Sequence, residues 1–478
     1  MTSMRSDSSA GPAPIVVLKF GGTSVADPTA IRRVAEIVRT SVESECRPVL
    51  VTSAMSKVTD ALFDVVRRAV TGDVNGAQDV LGGLLERHRT ASAELLDELA
   101  LREFDALLEE VSRNLTELLS VVSRHPGTHL ALQDEIVGQG EYLASHLLAA
   151  ALRVEGLPCI WEDARRVIRT DDQHTRAIPL QEEIVIAAQE LLMPRIEEGQ
   201  IPVLGGFVGS TLQGATTTLG RGGSDFSGAL IGAALRAREI QIWTDVSGFL
   251  TADPHVVSQV YTIPQLSYTE AAELAYFGAR VLHPRTILPA VATGIPLRIC
   301  NSREPGAAGT IIDGRRLVSV QGIKAIAHKR GITVVQVTAA RMLGAHGFLR
   351  DLFEVFDRHR TSVDIVATSE VSVSLTVDDG SALHAIEADL GALGQVQIRD
   401  GCAIVCAVGE GLRNTAGIAG RIFGALSETR VALISQGASS TNLTFVVSEK
   451  DVENVVKSLH ESFFGALAQP AVEDPSEH

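Results

Sequence analysis

The chain has 478 residues, 58 of them Asp or Glu against 42 Lys or Arg, for a net charge of −16. That length predicts about three domains, and the acidic balance argues against nucleic acid or an anionic membrane as the main partner. The five scattered cysteines lack metal-ligand spacing, no apolar run reaches membrane-spanning length, and residues 1–14, rich in Ser, Gly, Ala and Pro, lack a signal-type apolar core, so a cytoplasmic protein with a loose N-terminal tail is expected.

The apolar run Ile15–Leu18 leads into Lys19-Phe20-Gly21-Gly22-Thr23-Ser24. Asp27 and Pro28 then open a helical pattern as N-cap and first helical residue. The stretch reads as strand, glycine loop, helix. Glycines let backbone approach a ligand, turn N–H groups suit phosphate, and Lys19 adds a cation. Neither a Walker A loop nor GxGxxG is present. A second strand, Pro48–Ala54, runs into Ser53, Ser56, Lys57 and Thr59, at the strand edge where open α/β sheets bind ligands. Residues 60–155 read as almost wholly helical, with a break near His125-Pro126-Gly127. Within them Gly138-Gln139-Gly140 is costly for a helix and suggests close approach to something beside Glu141, a candidate receiver of a substrate ammonium.

Strands follow at Pro158–Trp161 and Ile201–Phe207, the latter again with paired glycines. The loop Thr216–Asp225 gathers hydroxyls, glycines, Arg221 and a carboxylate ahead of a small-residue helix that Ser224 or Asp225 can cap. Arg221 offers bidentate geometry to a carboxylate or phosphate. A strand at Glu239–Val246, a helix from about Thr269 towards Phe277, and a last strand at Pro296–Asn301 continue the alternation, which predicts a mainly parallel sheet covered on both faces. His283 before Pro284 reads as a turn histidine rather than a base. Beyond Gly314 a unit recurs: Val363–Val366 precedes Leu375-Thr376-Val377 by the same spacing that separates Val431–Ile434 from Leu443-Thr444-Phe445. Its loops, Thr368-Ser369-Glu370 and Gln436–Ser439, suit either a small polar ligand or a dimerisation module.

Together, Lys19–Val25, Gly140-Glu141, Gly205-Gly206-Phe207, Thr218–Asp225, Trp243-Thr244-Asp245, Phe277-Gly278-Ala279 and Val281–Pro284 resemble the aspartate kinase family. The resemblance implies an α/β amino-acid kinase fold, a mainly parallel sheet between helices, followed by two α+β, ferredoxin-like ACT domains. Implied boundaries are a tail at 1–14, a catalytic domain at 15–315, a regulatory region at 316–468 and a loose tail at 469–478. The ACT domains would occupy about 339–400 and 401–468, with 321–338 a candidate for interleaving. The implied reaction is ATP- and Mg²⁺-dependent phosphorylation of the L-aspartate side-chain carboxylate to 4-phospho-L-aspartate, the first step towards lysine, threonine and methionine. Lys19 would neutralise the transferring phosphate, Gly21 and Gly22 would donate N–H groups to it, and Asp225 would orient the lysine. Ser53, Thr59, Glu141, Phe207, Arg221 and Ser224 would bind aspartate, and Thr244, Asp245 and Arg280 the nucleotide. No metal site built from protein side chains is expected.

The first repeat is most similar to the lysine-sensitive branch. L-Lysine is therefore the candidate effector, at Met342, Gly347, Leu349, Asp364, Thr368, Ser369 and Glu370, and a homodimer or homotetramer is expected. No dehydrogenase-sized extension is present, so a monofunctional kinase is expected. The chain departs from the family pattern at Leu250, His255 and Arg280 on the nucleotide side, and at Ala345 in the first repeat. A kinase acting on an aspartate analogue, and a non-catalytic amino-acid sensor, stand as alternatives at this point.

Overall fold

The apolar run ahead of Lys19 forms β1 (Ile15–Phe20), buried at every position as a strand covered on both faces requires. The structure, a computed structural model, describes residues 13–465 apart from 126, 128, 280, 345 and 427. The two tails therefore lie largely or wholly outside the described residues. Asp27 caps α1 (Pro28–Glu43) by accepting from the Ala30 amide, with Pro28 at the first helical position. After β2 (Arg47–Thr52) come α2 (Val58–Val70), α3 (Val74–Leu95), α4 (Glu98–Arg124), α5 (His129–Val137) and α6 (Gln139–Val154). Then follow β3 (Cys159–Trp161), α7 (Ala164–Val167), α8 (Gln181–Leu191), α9 (Met193–Glu197) and β4 (Ile201–Gly205). The hairpin β5 (Val208–Ser210) and β6 (Thr216–Thr218) leads to α10 (Gly223–Ala234) and β7 (Glu239–Thr244). After β8 (Gln265–Ser267) and α11 (Tyr268–Tyr276) come α12 (Pro284–Thr293), β9 (Leu297–Asn301) and β10 (Thr310–Asp313).

Two compact units result. The first holds residues through Phe249 together with Val281–Gly314; the second takes the segment from Leu250 and resumes at Arg315. In the first unit the strands run β3-β4-β2-β1-β7-β9-β10, parallel except for β10 against β9. The chain leaves β1 towards β2 on one side and returns to its other side as β7. β1 therefore sits at the switch point where open α/β sheets bind ligands, and the polar ends of β1, β2, β4 and β7 converge there.

The second unit contains β11 (Ala325–Thr338), α13 (Phe348–Arg358), β12 (Val366–Thr368), β13 (Ser372–Val377), α14 (Leu383–Leu390) and β14 (Gln395–Val408). It continues through α15 (Ile418–Gly424), β15 (Leu433–Gln436), β16 (Asn442–Ser448) and α16 (Val452–Phe464). The sheet order is β12-β13-β11-β14-β16-β15, antiparallel throughout. Both long strands serve two halves. The C-terminal part of β11 lies between β13 and the start of β14, whereas Ala325–Lys329 pairs with the end of β14 at Ile404–Val408. One half packs around Phe348, Leu352, Phe356 and Leu375, the other around Ile422, Phe445, Leu459 and Phe463. The α/β kinase fold followed by α+β, ACT-type architecture is as the sequence indicated.

Two details differ from the pattern. The alternation of strands and helices places residues 250–280 with the catalytic domain, yet Ala252, Val256, Val260 and Tyr261 bury their side chains in the second unit's core. The two repeats are also unequal in register. The innermost pair is Thr368 with Val373 in the first hairpin, but Gln436 with Leu443 in the second, so the second loop is two residues longer despite equal spacing in sequence.

Candidate active site

Lys19 ends the apolar run of β1 and is itself 5% exposed. Its ammonium forms an ion pair with the Asp225 carboxylate. The small-residue character of α10 makes this approach feasible: a Cβ at Gly228 would lie 3.1 Å from that of Lys19. The α10 N-cap is Gly222, at φ 70°, without a side-chain cap. Ser224 and Asp225 therefore do not cap the helix, as the sequence suggested; both sit inside its first turn. That left-handed residue has no room for a side chain, because a Cβ would come within 2.3 Å of the Cβ of His283. His283 in turn caps α12, accepting from the Arg285 amide at 3.3 Å, in keeping with a turn histidine.

Glu141 is the most unusual group. It lies in the first turn of α6, is 2% exposed, and reaches the ends of β2 and β4 because the glycines around it remove obstructing side chains. A Cβ at Gly140 would press on Ala54 at 3.0 Å, and one at Gly205 on the Glu141 backbone at 3.0 Å. The Thr59 hydroxyl, in the first turn of α2, donates to Oε1 at a long 3.5 Å, whereas Oε2 is buried without a partner. Burial raises the carboxyl to a pKa of about 8, opposed by hydrogen bonds from backbone near Ala54 and by the charge of Lys19. Glu141 thus pairs a buried, unpartnered oxygen with a nearby lysine charge.

Several of the remaining predicted residues lie at the ends of β2, β4 and β7 or on the loop ahead of α10. The Ser53 amide donates to the Phe20 carbonyl at 3.0 Å, which holds the β2 end beside β1. Phe207 adopts φ 67°, held there by its amide donating to Ser227 Oγ at 3.0 Å and by its carbonyl accepting from Leu219. Arg221 is exposed on the glycine loop and makes no ion pair among the described residues. Thr244 and Asp245 end β7, with Thr244 Oγ1 donating to Asp245 Oδ1 at 3.3 Å. Arg280 and Ala345 lie outside the described residues. Leu250 and His255 both belong to the second unit.

The glycine loop needs correcting in one respect. The Gly21 amide, expected to donate to phosphate, donates instead to the Trp243 carbonyl at 2.9 Å. Its neighbour Gly22 is required for packing as well, since a Cβ there would meet the Ala54 carbonyl oxygen at 3.0 Å. Sequence reading also missed several supports. Ser302 donates to the Thr244 carbonyl and accepts from Ser24 at 2.8 Å, tying together the ends of β1, β7 and β9. Asp134, fully buried, accepts from Thr218 at 2.6 Å and from the Thr175 amide at 2.9 Å, and lies 3.0 Å from His174 Nδ1. In sequence Asp134 stands between Gln133 and Glu135 in a polar helix stretch, where an acidic residue reads as solvated, so nothing local singled it out.

In the second unit, the amide of Ala339 donates to the Val371 carbonyl at 2.8 Å. This places the turn holding Met342 beside the loop Thr368-Ser369-Glu370, which is exposed. Gly347 begins α13 at φ 87°, followed by Leu349, 41% exposed. Asp364 is buried at the side chain, with Oδ2 unpartnered. Among the described residues, no three His, Cys, Asp or Glu side chains gather as a metal cage, and no helix is long and apolar enough to cross a membrane.

Residues 14–301 match the model of the amino acid kinase family, and residues 405–463 that of the ACT domain. The chain is 37% identical to lysine-sensitive aspartokinase 3 of Escherichia coli (strain K12), over 94% of this chain and 99% of that one. The crystal structure of E. coli aspartokinase III with aspartate and ADP, its R-state, is similar at a TM-score of 0.81, with 37% identity over 94% of this chain and 100% of that one. The T-state of that enzyme, with lysine and aspartate, gives 0.77 at 37% identity, over 94% and 99%.

Proposed function

The chain belongs to the aspartokinases, within the amino acid kinase family, and from that premise we propose how its residues carry out the reaction. It is an aspartate kinase, transferring the γ-phosphoryl group of ATP to the side-chain carboxylate of L-aspartate. The attacking carboxylate is already ionised at neutral pH, so the reaction needs in-line positioning and charge neutralisation rather than a strong base. Lys19 supplies the cation for the transferring phosphate, and Asp225 fixes its ammonium. Glu141 receives the substrate ammonium at its open Oε2, and Arg221 takes the α-carboxylate as a bidentate pair. Ser53, Thr59, Phe207 and Ser224 line the same pocket. The α10 N-terminus adds its positive dipole end to the phosphates.

Gly22, Thr244 and Asp245 serve the nucleotide, with Gly21 contributing close approach rather than its amide. Mg²⁺ is proposed as a nucleotide-borne ion, since this cation is held largely through substrate phosphates. When bound, it neutralises charge on the phosphate oxygens. The observation that carries the substrate assignment is Glu141: a buried carboxylate with an unpartnered oxygen is stabilised by a ligand cation, and an α-amino acid supplies one.

L-Lysine is the proposed effector, supported by the unpartnered Oδ2 of buried Asp364 and by the Met342–Gly347 turn that Ala339 holds beside the Thr368–Glu370 loop. Exposed Val366 and Ile434 on the two edge strands support a homodimer or homotetramer, which light scattering would resolve. The five unpaired, buried cysteines support a cytoplasmic setting. The deciding assay is ATP-dependent aspartyl-hydroxamate formation from L-aspartate and hydroxylamine, with and without L-lysine. Hydroxamate that falls when lysine is added is expected. Its absence from folded protein that binds ATP would overturn the substrate assignment, and indifference to millimolar lysine would overturn the effector.

A further inference from the structure

The second unit contains a buried carboxylate engaged on one side and open on the other. The Asp364 side chain is 2% exposed. Its backbone is fixed to β13, the amide donating to the Thr376 carbonyl at 3.0 Å and the next amide, Ile365, donating to Thr376 Oγ1 at 3.0 Å. Oδ1 accepts from the Tyr276 hydroxyl at 2.5 Å, and the Lys329 ammonium lies 3.4 Å from that same oxygen. Oδ2 is buried with no partner. Lys329 is shared, however. Its Nζ is 2.7 Å from Asp378, whose side chain is 41% exposed, and 5.0 Å from the centre of the Tyr276 ring.

A buried carboxylate is tolerated when it is paired, and here its cation is held more closely by a second, wetter carboxylate. An ammonium arriving at Oδ2 would stand beside the Lys329 ammonium, and like charges at that separation repel. Lys329 has somewhere to go: Asp378 already holds it and is open to water. The sheet sets this geometry, because Lys329 lies on β11 while Asp364 and Asp378 flank the adjoining β12–β13 hairpin. We propose that a primary ammonium reaches Asp364 in exchange for Lys329, so that this chain's own lysine side chain sets the affinity of the effector pocket. The proposal rests on the reading of Asp364 as an effector residue.

Two substitutions make opposite demands. Lys329→Met removes the competing cation, and L-lysine should bind roughly five- to tenfold more tightly by titration calorimetry on the full-length protein. Asp378→Asn removes the alternative partner and leaves Lys329 on Asp364, so L-lysine should bind more weakly by a similar factor. Neither residue belongs to the catalytic machinery, and the hydroxamate rate without lysine should stay within about twofold of the unmodified protein for both. Lysine binding that is measurable but unchanged in both variants would overturn the exchange and leave the effector reading intact. Absence of lysine binding in the parent and both variants would overturn the two together. Binding that emerges only in Lys329→Met would support both.

Discussion

Glu141 links burial, ionisation and recognition in one side chain. Its folded-state pKa, about 8, is raised above the ordinary carboxyl value of 4.5, with desolvation as the first cause. A raised acid contributes stability that is fully present below pH 4.5 and is lost as pH rises through about 8. The substrate-free protein should therefore weaken across that window, by at most about 5 kcal/mol from the size of the shift. Binding has the opposite sign. An ammonium prefers the ionised carboxylate, so aspartate should expel a proton from Glu141 when it binds near pH 7. Calorimetric titrations in two buffers of different ionisation enthalpy should report release approaching one proton, and kcat/KM for aspartate should climb as pH rises towards 8. Glu141→Gln should flatten the pH dependence of melting, raise stability near pH 8, and reduce kcat/KM for aspartate by about 100-fold or more. A variant that melts and turns over like the parent would remove Glu141 from the site.

At the scale of elements, the paired glycines carried the right address and an incomplete reason. Gly-Gly after an apolar run marks a strand end that something must approach, and both pairs do lie at the ends of sheet strands. The sequence reading assigned that approach to a ligand. In the fold much of it is chain against chain: Gly205 meets the Glu141 backbone, Gly206 meets Ser224, and the Gly21 amide bonds Trp243. These partners lie tens to hundreds of residues away, so no local spacing announces them. Lys19, Glu141, Arg221 and Asp225 stood out as candidates because charged residues next to costly glycines have few structural excuses, and the ion pair of Lys19 with Asp225 joins two of them. Asp134 and Ser302 did not, since one stands between Gln133 and Glu135 like any solvated helix acid and the other is a serine after a strand. Gly206→Ala tests the packing reason. Its Cβ would fall 2.8 Å from Ser224 Cα, which is backbone and cannot swing aside. A loss of about 1–3 kcal/mol in denaturant unfolding and a raised KM for aspartate are expected. Gly82→Ala is the counterpart: that glycine sits in α3 with nothing within 4 Å of a Cβ, so alanine should stabilise by about 0.4–1 kcal/mol. Equal effects from the two changes would refute the packing account.

For the whole chain, the least legible feature is the allegiance of residues 250–280. Their pattern continues the alternation of the first unit, and nothing local marks a departure. What holds them in the second unit, besides apolar packing, is a buried ionic network. Glu270, fully buried, closes the capping box of α11 with Ser267 and accepts from Lys324 Nζ at 2.7 Å. Its other oxygen accepts from the Glu410 amide at 2.7 Å, while Ser267 Oγ donates to the Glu410 side chain at 3.2 Å. One carboxylate thus joins the start of α11, the residue just ahead of β11 and the segment just after β14. Removing its cation leaves a charge in a fully buried site. Lys324→Met should therefore cost about 3–5 kcal/mol, seen in denaturant unfolding and in faster hydrogen exchange across 266–274. Adding Glu270→Gln should return more than half of that loss, because the amide keeps an acceptor for the Glu410 N–H and no longer needs a counter-ion. If Lys324→Met costs less than about 1 kcal/mol, the level of a solvated pair, apolar contacts alone hold the segment. If the double change is no better than the single one, the loss comes from Lys324's bond to the Gln265 carbonyl and its packing, not from a stranded charge.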